Sequence, residues 1–168
     1  GVRYLGGTNE TYGNINTSDS LWVIRDLVFN QKKYTLRQLN DAMLANFNGY
    51  EALRKDCLNC DKYGNDLETA DTMANDLYEF VAKGVRNRGI AIGMQYFLIV
   101  ISNNQLNTEW GNRTAASPDG RLSCMYMNPA NNPQGGANKS GPTAMLNSLA
   151  KFDAKYHGGS VQNIKFSP

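Results

Sequence analysis

The run Met94-Gln95-Tyr96-Phe97-Leu98-Ile99-Val100-Ile101 constrains the fold most. It reads as a strand, yet it lacks the polar–apolar alternation of a strand with one wet face. Such a run belongs in a sheet covered on both sides, and covering a sheet on both sides requires helices. Ser160 to Phe166 reads as a second, final strand. Helical patterns outweigh strands in the rest of the chain, so the expected class is α/β, helix-rich.

The helical patterns have start and stop signals. Leu21, Ile24, Leu27 and Val28 recur at helical spacing and predict a helix over residues 17–30, with Thr17 or Ser18 at its start. Thr35-Leu36-Arg37-Gln38 fits a capping box, with Tyr34 and Leu39 at the positions of a hydrophobic staple. The buried stripe of that helix is expected to be Leu36, Leu39, Met43, Leu44 and Phe47, with Gly49 breaking it. A shorter helix is predicted over residues 51–58. Lys62-Tyr63-Gly64-Asn65-Asp66 reads as a turn. A long helix follows over residues 68–85, with Ala70, Met73, Ala74, Leu77, Tyr78 and Val81 facing inward. Ser117-Pro118-Asp119-Gly120 has the residues of a type I turn. Residues 128–136 read as an irregular loop. Pro142 suits the first turn of a helix running to Phe152, and His157-Gly158-Gly159 ends that region.

Composition excludes several classes. The 168 residues are 41% hydrophobic and 19% charged, which is globular rather than disordered. A net charge of +2 without a basic cluster gives no nucleic-acid footprint. The apolar run is too short to span a bilayer, and residues 1–4 carry no signal-peptide core. The expected location is therefore cytoplasmic, with no nucleic-acid or membrane partner. Three cysteines without a secretion signal argue against a disulfide framework.

Each reactive motif has a competing structural reading. Cys57-Leu58-Asn59-Cys60 could be a redox pair or half a zinc site, but only Cys124 and His157 remain as further ligands. It falls at a helix end, and the structural reading is preferred; no metal site is expected. Arg121 either meets an anion with its planar fork or pairs locally, and local pairing is preferred. Gln134-Gly135-Gly136 reads as a backbone turn, and His157 as a surface or capping residue. Ser140 or a neighbour is expected to cap the helix that begins near Pro142, with anion binding at that terminus the alternative. Gln162, Asn163 and Lys165 put polar side chains into the last strand, where a buried polar group needs a partner.

Six segments occur in a fixed order. Asp19-Ser20-Leu21 with Leu27-Val28-Phe29 resembles an "ADSL…KLVF" helix. Asn46-Phe47-Asn48-Gly49-Tyr50-Glu51 is similar to "NFxGYE". Lys62-Tyr63-Gly64-Asn65-Asp66 matches "KYGND". Ser117 to Arg121 matches "SPDGR", Gly141 to Ala144 matches "GPTA", and Asn163 to Pro168 matches "NxKFSP". Together they resemble the late part of the large domain of glycyl radical enzymes, the pyruvate formate-lyase-like family.

That resemblance implies a ten-stranded barrel of two parallel half-barrels jacketed by helices, of which residues 1–168 would be one C-terminal portion. It implies a glycyl radical, installed by an S-adenosylmethionine iron–sulfur activating enzyme, that generates a thiyl radical on a cysteine within the barrel. None of Cys57, Cys60 or Cys124 sits in the family's "GCxE" setting, and no glycine sits in its "RVxGY" setting. The expectation is a fragment with no catalytic residue of its own, inert in isolation. The "GPTA" and "QNxKFS" forms look more like the dehydratase and C–X lyase branches, whose substrates are small and polar, than the formate acetyltransferase branch, which stays as an alternative. Cys124-Met125-Tyr126-Met127 departs from the family's "PLADG", so no individual substrate is carried over. Gln162, Asn163 and Phe166 are the candidate pocket residues. A part of a barrel leaves strand edges and apolar faces uncovered, so self-association is expected. A non-catalytic binding or assembly module and a split-enzyme subunit are the rival readings.

Overall fold

The computed structural model describes residue 3 and residues 6–94, 96–101, 106–153, 155 and 157–164. Three strands form one sheet in the order β1 (Gly6–Glu10), β2 (Tyr96–Ile101), β3 (His157–Ser160), all parallel. Parallel neighbours cannot be joined by a hairpin, so each connection is a helical crossover. α1 (Asn14–Val23), α2 (Leu36–Leu44), α3 (Glu51–Asn59) and α4 (Glu68–Ala91) lie between β1 and β2. α5 (Leu106–Asn112) and α6 (Gly141–Ala150) lie between β2 and β3. The unbroken apolar run is the central strand, paired on both edges, and α4 packs against both it and α1.

The register runs from Gly6 opposite Tyr96 to Glu10 opposite Val100. On the other edge His157 is opposite Ile99 and Gly159 opposite Val100, which leaves Gly158 as an extra residue. The last strand thus begins at His157, not Ser160, and Val161–Ile164 run past its end outside the ladder. The expected strand at residues 161–164 is corrected, and residues 165–168 lie outside the described residues. His157-Gly158-Gly159 has the composition of a turn. The open edge of β2 makes it a strand, and glycine is the usual residue where a ladder slips by one.

The first helix starts three residues earlier than its pattern predicts and widens into a π-helix over Ile24–Asn30. An extra residue per turn rotates the buried face. Leu27 is buried and Ile24 and Val28 are half-buried, but Leu21 is 41% exposed, because α1 turns Asn16, Ser18, Asp19 and Ser20 inward instead.

α2 begins with the expected capping box. The Gln38 amide donates to Thr35 Oγ1 at 3.1 Å, and the Thr35 amide donates to Gln38 Oε1 at 2.9 Å. Leu39 and Phe47 are buried and Met43 is half-buried as expected, but Leu36 and Leu44 are exposed and Ala42 takes a core place. At 100° per residue Leu44 lies about 140° around the helix from Leu39, off the stripe.

α4 runs through Gly84 and ends at Gly93 (φ 84°), two turns beyond expectation. There the Gly93 amide donates to Ile90 O at 3.0 Å and the Met94 amide to Gly89 O at 3.0 Å, a Schellman ending. At α6 it is Asn138, not Ser140, that caps: its Oδ1 accepts from the Gly141 amide at 3.0 Å.

Two apolar clusters form the core. Ile15, Tyr63, Ala74, Tyr78, Ala82 and Phe152 make one. Val23, Leu27, Leu39, Ala42, Phe47, Leu53 and Cys57 make the other. α1 supplies Ile15 to the first and Val23 to the second, so it ties them together. None of the described helices is long and apolar enough to cross a membrane.

Candidate functional site

Parallel strands end on a common side, and in α/β sheets ligands collect outside those carboxyl ends. Two described segments leave the sheet there: residues 11–13 after β1 and residues 161–164 after β3. The second of these, and α1 directly after the first, are held by the loop at Asn128–Pro133, Asn-Pro-Ala-Asn-Asn-Pro. Prolines 129 and 133 lack an N–H, so this loop cannot join a ladder, and asparagine side chains take over the bonding. Asn128 and Asn16, at the start of α1, bond reciprocally: the Asn128 amide donates to Asn16 Oδ1 at 2.7 Å, and the Asn16 amide donates to Asn128 Oδ1 at 3.3 Å. Asn131 donates its backbone N–H to Val161 O at 3.1 Å and accepts from the Tyr78 hydroxyl at 2.6 Å. Asn132 grips Asn163 twice, Oδ1 accepting from its N–H at 2.9 Å and Nδ2 donating to its carbonyl at 2.6 Å.

Val161 and Asn163 are therefore clamped through their backbones, with Gln162 between them. Both polar atoms of the Gln162 side chain are buried without a hydrogen-bond partner among the described residues. A buried amide in that state costs on the order of 1–3 kcal/mol until something satisfies it. Of the three expected pocket residues, the structure puts Gln162 and Asn163 together just beyond the end of β3; Phe166 lies outside the described residues. At the end of β1 the Tyr12 hydroxyl donates to Glu10 Oε2. That bond, with some burial and the nearby charge, pushes the phenol up to about 12.

A second polar assembly binds the Ser117–Arg121 turn to α1. Asn16 Nδ2 donates to Asp119 Oδ2 at 2.7 Å, and the Asp119 amide donates to Ser20 Oγ at 3.2 Å. The turn itself closes as expected, Gly120 N–H to Ser117 O at 3.0 Å. Arg121 is buried and spends its guanidinium locally, on the carbonyls of Ala115, Leu122 (3.1 Å) and Met125 (2.8 Å). Burial pulls its pKa below the usual value, with Asp119 opposing. Asp19 accepts from the Tyr63 amide at 2.9 Å, which fixes the 62–66 turn against α1. Burial pushes the Asp19 carboxyl up to about 8, against that bond and the Lys62 charge, which pull it down.

The C-x-x-C pair closes α3 with free thiols. Burial pushes Cys57 up to about 12 and Cys60 up to about 11, so neither is a ready thiolate. Their carbonyls hold the Lys62 ammonium at 2.5 and 3.2 Å. His157 is half-buried in β3, its ring 5.6 Å from Tyr78 and 6.5 Å from Phe152, rather than on the surface. Burial lowers its pKa. Among the described residues no group of three or more His, Cys, Asp or Glu is placed to hold a metal ion. Sequence reasoning missed the asparagine clamp. Its one signal was the density of asparagine around two prolines in residues 128–133.

Comparison with known proteins completes the picture. Residues 1–106 match the family described as pyruvate formate lyase-like, and residues 127–168 match the glycine radical family. The chain is 32% identical over 169 residues to trans-4-hydroxy-L-proline dehydratase of Clostridioides difficile, covering 100% of this chain and 21% of that protein. It is 34% identical over 159 residues to isethionate sulfite-lyase of Bilophila wadsworthia, covering 89% and 18%. Among solved structures, hydroxyproline dehydratase from Clostridioides difficile with trans-4-hydroxy-L-proline bound superposes with a TM-score of 0.89 at 31% identity, over 95% of this chain and 20% of that one. The glycerol-bound B12-independent glycerol dehydratase of Clostridium butyricum gives 0.87 at 28% identity, over 93% and 20%. The chain spans about a fifth of the length of these relatives.

Proposed function

Because the chain belongs to the pyruvate formate lyase-like family of glycyl radical enzymes, we propose that it serves a radical dehydratase or C–X lyase acting on a small polar substrate. Its helix-rich, three-stranded unit is part of the family's ten-stranded barrel. In this reading residues 1–168 make one portion of the large domain and form part of the pocket wall. The observation that carries it is Gln162: a buried amide without a partner among the described residues, held between two clamped residues beyond the carboxyl end of a parallel strand. Asn163 shares that wall, and Phe166 joins it on sequence grounds.

The named relatives favour elimination: two dehydratases and a sulfite-lyase. The radical chemistry is supplied by a glycyl radical, installed by an S-adenosylmethionine iron–sulfur activase, and by a cysteine, neither within a matching motif here. This chain's share is to orient a polar substrate and keep water from it, which radical intermediates require. The Gln162 amide offers a donor group, Nε2 with two N–H bonds, and an acceptor, Oε1, suited to a hydroxyl that must leave or be held.

The test uses the protein at its natural length, activated without oxygen, with elimination followed from hydroxyproline, glycerol and isethionate. Turnover of at least one is expected. Gln162→Leu should lower kcat/KM by about 10- to 100-fold, as for a lost buried hydrogen bond. An unchanged kcat/KM in that variant would remove Gln162 from the wall, and C–C cleavage in place of elimination would remove the dehydratase reading. The 168-residue chain treated alone with the activase should give no turnover.

A further inference from the structure

A cleft of about 430 Å³ lies between α3 and the loop at residues 134–139. Its lining divides by burial. Asp19, Lys62, Asp119 and Arg121 are buried, whereas Lys55 and Lys139 are exposed and form its rim. Leu58 and Met125 add apolar wall.

The charges do not cancel. Five cationic side chains line the cleft against three carboxyl groups. Arg54, Lys62 and Arg121 are bonded to neutral acceptors, chiefly backbone carbonyls, which orient the cations without neutralising them. The ammonium groups of Lys55 and Lys139 have no ion pair among the described residues. Asp19 is 1% exposed, and its Oδ2 has no hydrogen-bond partner among the described residues. Burial pushes that carboxyl up to about 8, which weakens its negative charge at neutral pH. The cleft therefore combines a positive rim, a buried carboxyl oxygen without a partner among the described residues and an apolar wall.

We propose that this cleft binds a small organic anion, a carboxylate or sulfonate on a short apolar body, with Lys55 and Lys139 meeting the anionic group. The inference stands on the cleft alone and does not depend on which radical reaction the protein serves. It differs from the expectation for the helix N-terminus near Pro142, because side-chain cations rather than the backbone N–H groups of a helix start meet the anion.

Calorimetric titration of the protein at its natural length with benzoate, and with neutral benzamide as control, tests it. Saturable benzoate binding in the range of about 1–10 mM is expected, with benzamide about tenfold weaker. The double variant Lys55→Ala, Lys139→Ala changes only exposed residues and should keep the thermal transition while weakening benzoate about tenfold. No saturable benzoate binding, equal affinity for benzamide, or unchanged affinity in the double variant would each overturn the proposal. Benzoate binding that survives in the 168-residue chain and vanishes with both lysines would support it further.

Discussion

The cluster around Phe47 and the junction around Asn16 are both buried, and they are held by opposite means. In the first, Val23, Leu27, Leu39, Phe47 and Leu53 exclude water with apolar side chains from neighbouring helices and the turn after α2. In the second, Asn16 gathers Asp119, Asn128 and Gln134 from positions more than a hundred residues away. An apolar cluster is non-directional, so losing one member costs in proportion to the void it leaves. A polar junction is directional, so losing one member strands every partner it served. The first gives this chain bulk stability. The second sets where the turn at 117–121, the loop at 128–134 and the end of β3 stand relative to α1.

Four measurements break or sharpen that contrast. Phe47→Ala should have the largest effect, about 3–5 kcal/mol lost in chemical denaturation, as for other buried aromatic truncations. It should leave anion binding at the 134–139 cleft intact in the fraction that stays folded. Asn16→Ala should cost less, about 2–3 kcal/mol, for the unpaired Asp119 and Asn128 groups it leaves. Its signature is positional: hydrogen exchange should quicken at 117–121 and 128–134 while the Phe47 cluster stays protected. An unchanged exchange pattern would show that the junction orients nothing.

The third measurement is a slope. The Asp19 carboxyl titrates near 8 when folded and near 3.8 when unfolded. Between those values the folded state holds the extra proton, so its contribution is full below about 4 and is lost as pH rises to 8. His157, with its pKa lowered in the fold, contributes in the opposite sense near its ordinary value, so the difference against a variant isolates Asp19. Asp19→Asn should flatten the decline in melting temperature between pH 5 and 8. Equal slopes in the two proteins would refute the assignment. The smallest effect is expected at Thr35→Ala, about 1 kcal/mol, for an exposed capping box that serves one helix.

What was readable in the sequence follows the same division. The capping box at Thr35–Gln38, the turns at 62–66 and 117–120, and the start of α4 at Glu68 all depend on residues a few positions apart, and each formed as expected. The α2 stripe was read too broadly, because Leu36 and Leu44 are apolar without being on the buried face. The candidate pair Gln162 and Asn163 was readable as polar residues where an apolar strand was expected. Their clamp was not, since Asn132 looks like any loop asparagine until Asn163 lies against it.

By itself, the sequence determined a helix-rich α/β unit, because periodicity and caps act locally, and its short motifs carried the resemblance to the glycyl radical family that implied parallel strands under a helical jacket. Only the tertiary structure decided that His157–Ser160 is a strand, that the first helix widens at Ile24, and that both polar atoms of the Gln162 side chain are buried without a hydrogen-bond partner among the described residues. The first and the last depend on groups distant in sequence: an open strand edge, and two asparagines that bind the residues on either side of Gln162. Hydrogen bonds across such distances leave no period in the sequence, so they become visible only when the chain is folded.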